Sequence, residues 1–416
     1  MSGSMKFSNL RVNIRTFWEK NHLFLISYFL FILGFFAMSS SHWHRSFYSH
    51  CIFLPYLITL EKRQIKAFCH SKIWISSLAL TGYLCLTLLW AENAGFDDFI
   101  HYVRRPFYIL GFLSLTIDLA QRYPKFFDYL SIYLSWIAAI AAIVSICCFY
   151  SSFSFPTQRL EYVGALDTAI VVGSVYGMVG LICYFHLLQK RRTHAYIYIG
   201  LMGVILFSTF LTQSRGPLGA LLVTFLIGAH MTRDKKLLAI VICVIIGGGL
   251  SFFYIKGIND MFARPEGFTI RLEIWQQTLA RINEAVFLGE GISTSSDNTF
   301  IISDGTKWNH PHSLYLATTL YGGTIGLLLL LVLQALALRQ SVLRFFKEND
   351  FTYVALLSFS FMCVIVDYHR IICRPKAIWL IWWLPLALVA AKEVLSKQSM
   401  KTVYHNEMGI NRRREN

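Results

Sequence analysis

The sequence predicts an all-α integral membrane protein of about 12 transmembrane helices, with one large extracytoplasmic loop that contains short amphipathic helices. Three observations predict it. Of the 416 residues, 55% are hydrophobic and 15% charged, against about 25% charged in an ordinary soluble domain. Apolar runs near the ~20 residues that a bilayer requires recur along the whole chain. Basic residues crowd into alternate connections between those runs. Such a composition excludes a soluble globular enzyme, a disordered chain and a nucleic-acid-binding domain. The net charge of +15 therefore marks cytoplasmic loops and membrane-lipid contact, not a nucleic-acid partner.

The N-terminus comes first. Met1 to Ser4 precede Met5 and are expected to be a cloning remnant, with Met5 as the natural start. No signal-peptide cleavage site follows. Lys6, Arg11, Arg15 and Lys20 precede the first apolar run, which places the N-terminus, residues 1–20, in the cytoplasm.

Twelve runs are candidate spans: 21–40, 46–60, 73–91, 103–120, 129–150, 166–188, 194–212, 216–232, 237–255, 312–338, 351–369 and 376–392. The second is short, and the fourth carries Arg104-Arg105-Pro106 at its start. An even number of spans puts both termini inside. With that orientation, 25 of the 38 basic residues fall in cytoplasmic segments, and every such segment holds at least two. The expected organisation is a cytoplasmic N-terminus 1–20, membrane helices 1–9 over 21–255, an outer loop 256–311, helices 10–12 over 312–392 and a cytoplasmic tail 393–416. Within the loop, Ile270, Ile274, Leu279 and Ile282 recur at helical spacing between Thr269 and Asn283, which predicts an amphipathic helix at the membrane surface. Gly289, Gly291, Ser293 to Ser296 and Asp304-Gly305 read as loop. The nine cysteines show no metal or redox spacing and read as small apolar residues.

Charges are almost absent from the span centres, where ion-driven transporters and channels place them. The notable groups gather at the outer boundary instead. Thr212-Gln213-Ser214-Arg215-Gly216-Pro217 is a short turn that sets Arg215 beside a helix N-terminus, with Ser214 as the expected cap. Free N–H groups, the positive helix end and a guanidinium fork suit a phosphate. The bland alternative is a snorkelling anchor. Arg271 on the surface helix reads as a phosphate ligand or a headgroup contact. His310-Pro311-His312-Ser313 opens the tenth span. A histidine there is a general base or a structural group, and no further ligand nearby completes a metal site. Gly322, Gly323 and Gly326 read as helix-packing positions. Asp367, His369, Arg370 and Arg374 read as a polar turn flanked by an aromatic belt of Trp379, Trp382 and Trp383.

These features together resemble the bacterial O-antigen ligase family, whose superfamily also holds O-antigen polymerases and protein O-oligosaccharyltransferases. The family's motif is His, then Asn, Ser or Gln, nine residues, Gly, two residues, then Gly, Thr or Tyr. His312-Ser313, Leu314 to Gly322, Gly323, Thr324-Ile325 and Gly326 match every specified position, whereas His310 is followed by Pro311 and does not. Twelve spans with one large loop before the His also fit. The resemblance implies a glycosyltransferase at the periplasmic face of the bacterial inner membrane, with 256–311 as a periplasmic loop. The donor would be O-antigen on undecaprenyl diphosphate and the acceptor a hydroxyl of the lipid A-core, with no cofactor and no metal. His312 would be the general base. Arg215 and Arg271 would hold the diphosphate, and the anomeric centre would invert. Asp367, Arg104, Arg105 and His310 are secondary candidates. An O-antigen polymerase is the nearest alternative. A lipid-linked oligosaccharide flippase or other transporter would instead spread polar groups through the membrane depth.

Overall fold

The computed structural model describes residues 15–38, 41–92, 94–161, 166, 168–188, 195–254, 266–292 and 299–414, without the side chains of 41, 188, 247–254, 266–268 and 400–414. The expected cloning remnant and Ser293 to Ser296 lie outside the described residues.

Each of the twelve candidate spans is occupied by helix. In chain order these are α1 (Leu23–Ala37) and α2, which joins Ser41–Ser46, a π segment Phe47–Phe53 and Leu54–Thr59. A short α3 (Lys62–Phe68) precedes α4 (Lys72–Leu86), α5 (Phe96–Arg122), α6 (Phe126–Tyr150) and α7 (Ala169–Ile182, extended by a π segment Cys183–Leu188). Then come α8 (Ala195–Leu211), α9 (Arg215–Thr232), α10 (Lys235–Tyr254), α11 (Glu266–Glu284), α12 (Leu314–Glu348), α13 (Thr352–Val366) and, after a π segment Trp379–Trp383, α14 (Leu384–Arg414). Among the described residues, five stretches are long and apolar enough to cross a membrane by length and composition: Lys72–Leu89, Phe126–Tyr150, Ala169–Leu187, Leu314–Glu348 and Trp379–Ser399. Many large apolar side chains point outward, among them Leu89, Phe107, Val244 and Phe346. Outward apolar faces of this extent fit a lipid surround and not water.

Among the described residues, the loop before α12 holds the helix α11, close to the expected 269–283, and a small antiparallel hairpin. Its strands are β1 (Phe300–Ile301) and β2 (Lys307–Trp308). Glu273 on α11 pins the hairpin by accepting from the Ser303 backbone N–H at 2.8 Å and the Ser303 hydroxyl at 2.9 Å.

Four local expectations change. The helix that holds the fourth run begins at Phe96, so Arg104-Arg105-Pro106 lie well inside it and not at a helix start. Ser214 occupies the N-cap position of α9, but its hydroxyl donates to the Thr212 carbonyl at 3.2 Å and does not cap the helix. Trp379, Trp382 and Trp383 form no interfacial belt; all three are fully buried. The Trp379 and Trp383 indoles donate to the carbonyls of Cys373 and Ile371, at 3.2 and 3.1 Å. They thereby fix the loop between α13 and α14 from below.

The fourth change concerns the motif glycines. α12 is broken at Gly323, whose backbone sits at φ 60, ψ −164. A break at this depth frees backbone groups that must find partners away from water. The segment 286–291, just after α11, supplies them. Glu290 and Gly291 N–H donate to the Leu320 and Tyr321 carbonyls at 2.8 and 3.0 Å, and Thr324 N–H donates to the Val286 carbonyl at 2.8 Å. The Tyr83 hydroxyl donates to the Gly322 carbonyl at 2.9 Å. Gly323 is therefore a backbone break clamped by the loop. Gly322, whose added Cβ would come within 2.8 Å of Leu84, and Gly326 do keep close contacts.

Candidate active site at the ends of the helices

His312 lies between two elements that the chain separates widely. Pro311 ends the hairpin connection, and His312 takes a left-handed turn, φ 49, just before α12. Ser313 then caps that helix, its hydroxyl accepting from the Leu316 N–H at 3.5 Å. The turn directs the His312 ring toward the C-terminal end of α13. There, Nδ1 stands 3.5 Å from Oδ1 of Asp367. That separation makes an ion pair when the ring is protonated, but the two groups are not aligned as a hydrogen bond. Both ring nitrogens of His312 are buried without a hydrogen-bond partner.

Aromatic rings enclose the imidazole. Trp308 packs edge-on at 5.1 Å between ring centroids, and His310 lies at 4.0 Å. His310 in turn stacks flat on His369, also at 4.0 Å. Burial pushes the His310 ring down to about 4, aided by repulsion from His312, Arg370 and Lys376 and opposed by Asp367. Burial and the same neighbouring cations push His369 down as well. His310 and His369 are therefore neutral rings at ordinary pH. Three histidines here invite a metal reading, but among the described residues no three His, Cys, Asp or Glu side chains are placed to hold an ion.

The two arginines approach from different sides. The Trp275 indole on α11 donates to the Pro311 carbonyl at 2.9 Å, which docks α11 against the His310–His312 turn. Arg271 lies one helical turn before Trp275 and so shares its face. Arg215 is the exposed first residue of α9. The turn that carries it abuts α13, because a Cβ on Gly216 would stand 2.9 Å from Val366, the residue before Asp367. His312, Asp367, Arg271 and Arg215 therefore belong to one neighbourhood built from α9, α11, α12 and α13. His310 joins them by stacking. Arg104 and Arg105 do not; they lie on α5, where the Arg105 guanidinium covers the Tyr102 ring at 4.4 Å and reaches the Ile372 carbonyl at 3.5 Å.

Arg159, which the sequence did not single out, supports the Arg215 turn from outside, and Gln213 ties it down from within. Arg159 donates from Nε to the Thr212 carbonyl at 3.0 Å and from Nη2 to the Ser214 hydroxyl at 3.0 Å. Gln213, in a left-handed conformation at φ 50, donates to the Pro156 and Thr157 carbonyls at 3.0 and 3.1 Å. A lone arginine in a polar outer loop carries no periodic signal. Nothing in the sequence brings Arg159 to a turn more than 50 residues downstream.

Chemically, the neighbourhood offers an imidazole beside a carboxylate and two guanidiniums on separate supports. Such a set can take a proton from a hydroxyl and hold an anionic leaving group.

Residues 200–331 match the family model described as O-antigen ligase. That segment contains Arg215, Arg271, His310, His312, Gly322 and the two motif glycines Gly323 and Gly326. An O-antigen ligase of Pseudomonas aeruginosa is 26% identical over 386 residues, covering 88% of this chain and 91% of its own length. A Rickettsia conorii protein described as a putative polysaccharide ligase is 32% identical over 123 residues, 27% of this chain and 28% of its own. With the His312-Ser313 to Gly326 motif placed intact at the head of α12, the chain is similar to O-antigen ligases over most of its length, and that similarity supports an enzyme of that kind.

Proposed function

We propose that this enzyme transfers O-antigen polysaccharide from undecaprenyl diphosphate to a hydroxyl of the lipid A-core. The reaction occurs at the periplasmic face of the inner membrane, with both termini cytoplasmic. The observation that carries this reading is the meeting of His312 and Asp367 at the point where the Arg215 turn and the Arg271 helix both dock.

In the reaction, the acceptor hydroxyl oxygen attacks the anomeric carbon of the donor sugar. Its proton passes to the His312 imidazole, and the bond from the anomeric carbon to the diphosphate oxygen breaks with its electron pair. Asp367 faces Nδ1 and steadies the imidazolium formed, which leaves Nε2 for the acceptor. General-base help of this kind contributes about 10²–10⁴-fold. Arg215 and Arg271 hold the diphosphate and meet the charge that grows on it as the bond breaks. Attack from the side opposite the leaving group inverts the anomeric centre. This chain's residues need no metal in any of these steps.

The test is lipopolysaccharide from a strain lacking the gene, complemented with single variants. Arg215→Ala and Arg271→Ala should each leave core without attached polymer and let lipid-linked polymer accumulate, at normal protein level. Arg215→Lys should recover part of the transfer, since a point charge replaces a fork. Core carrying a single repeat in the deletion strain points to a polymerase and overturns the ligase assignment. Orientation is read separately: Thr306→Cys on the β1–β2 turn should react with an impermeant maleimide in spheroplasts, and Lys347→Cys only after lysis.

A further inference from the structure

Away from His312, a second group of arginines converges, and among the described residues no carboxylate pairs with any of them. Arg45 opens α2, Arg104 and Arg105 lie on α5, and Arg374 lies in the loop between α13 and α14. All four are half-buried. Among the described residues, Arg15, Arg122, Arg281 and Arg344 make ion pairs, whereas Arg45, Arg104, Arg105 and Arg374 join none. The charges that Arg45 feels are Arg374, Arg104 and Arg105, all of its own sign, with Tyr108 beside them. Assembling four guanidiniums at a half-buried place with no anion is unfavourable, and a bound anion removes the penalty.

The surroundings say what kind of anion. Trp43 and Phe107, each two residues from a member of the group, are 71% and 60% exposed, as are Phe96 at 78% and Leu54 at 47% on the same two helices. An outward apolar surface beside the cations suits an anion attached to acyl chains, and not a soluble ion. Guanidinium forks suit phosphate. The group is also tied to the reaction centre. The loop that carries Arg374 begins at Asp367, and Arg105 holds it midway through the Ile372 carbonyl. The buried Trp379 indole fixes it at Cys373.

We propose that Arg45, Arg104, Arg105 and Arg374 form a second phosphate site, separate from the Arg215–Arg271 pair, that holds the phosphate of a membrane-anchored anionic lipid. The lipid is a phosphorylated glycolipid acceptor or a phospholipid headgroup. Its assignment to the acceptor rests on the ligase reading above; the phosphate site itself does not. With the donor held at Arg215 and Arg271, this second site anchors the other lipid on the far end of the Asp367 loop and sets its sugar toward His312.

Binding to purified protein in nanodiscs tests this without any transfer step. The probes are lipid A-core glycolipid before and after phosphatase treatment, and nanodiscs of phosphatidylcholine with or without phosphatidylglycerol. The wild type should bind intact glycolipid at least about tenfold more tightly than the dephosphorylated form, since each charge-assisted bond to phosphate is worth about that much. Arg45→Gln/Arg374→Gln should bind both forms alike, and Arg45→Lys/Arg374→Lys should keep part of the preference. If phosphatase treatment changes nothing, but phosphatidylglycerol stabilises wild type and not the Gln pair, the site holds a headgroup and the acceptor assignment falls. If wild type and the Gln pair behave identically toward both probes, the phosphate site is overturned. Loss of the ligase reading would appear separately, as absent transfer with phosphate preference intact.

Discussion

The Cβ that Gly323 lacks would stand 2.1 Å from the carbonyl oxygen of Phe287. Gly323 also adopts φ 60, ψ −164, a region essentially reserved to glycine. Two constraints therefore act at one atom: a backbone conformation and a backbone contact. They join the outer loop, and with it α11, to the helix that begins just after His312. Gly323→Ala should lower the apparent Tm sharply, because strain of about 1–3 kcal/mol adds to a clash with a main chain that cannot swing away. Gly305→Ala is the control. It shares a positive φ, 82, but has nothing within 4 Å of the added atom. Thermal unfolding of the two variants should separate them by several degrees. Equal Tm values would remove the clamp.

Arg159 makes a second prediction. Its guanidinium holds both the Thr212 carbonyl and the Ser214 hydroxyl, and Arg215 follows directly. With Arg215 as the proposed donor ligand, Arg159 would act through the turn, as a positioning residue. Arg159→Ala should raise the donor KM about tenfold, in line with the loss of one or two charge-assisted hydrogen bonds. The acceptor KM and the folded state should change little. Arg159→Lys should rescue only in part, because one ammonium cannot span two acceptors on a rigid fork. An equal loss in kcat with donor KM unchanged would place Arg159 elsewhere in the reaction.

Much of this arrangement is legible in the amino-acid sequence. The twelve apolar runs each hold helix because hydropathy and helical hydrogen bonding act together on a chain that cannot expose its backbone to lipid. The Arg215 turn, the Arg271 helix and His312 stand out because charged groups are conspicuous against apolar sequence. What escapes depends on contacts between distant segments. Gly323 reads as a packing residue, since hydropathy says nothing of φ. Trp379 and Trp383 read as interfacial, since a tryptophan type does not distinguish lipid from a buried loop that needs an N–H donor. Asp367 is only a secondary candidate in the sequence, 55 residues from His312; it takes α12 and α13 to set the two 3.5 Å apart. The β1–β2 hairpin is too short to leave a period.

Acid should destabilise the outer face in a defined window. The His310 ring is held down at about 4, first by burial and then by His312, Arg370 and Lys376, against the opposing pull of Asp367. The unfolded ring protonates near 6.5. Between these values the unfolded state binds more protons, so stability falls as the pH drops from about 6.5 to about 4 and is level above it. His369, stacked on His310 and lowered for the same reasons, adds to the slope. The apparent Tm in detergent should follow this curve, and His310→Gln should flatten it. A slope unchanged in that variant would show that other groups govern the acid response.

The last prediction separates His312 from His310, whose rings lie only 4.0 Å apart. His310 stacks between His312 and His369 and is a neutral, buried ring, which suits packing. His312 alone faces a carboxylate and alone opens the spacing to Gly323 and Gly326. His312→Ala should abolish transfer while the lipid-linked donor still binds, because the base meets the acceptor and not the diphosphate. His310→Ala should be milder and should show its loss in Tm before kcat. Asp367→Asn distinguishes steadying from proton transfer. It keeps the shape but removes the charge facing Nδ1, so kcat should fall by about 10–100-fold with donor KM unchanged, short of the loss in His312→Ala. Transfer by purified variants at matched concentration gives all three values. An inactive His310→Ala beside an active His312→Ala would move the base to His310. A fully active Asp367→Asn would leave His312 to work without its carboxylate.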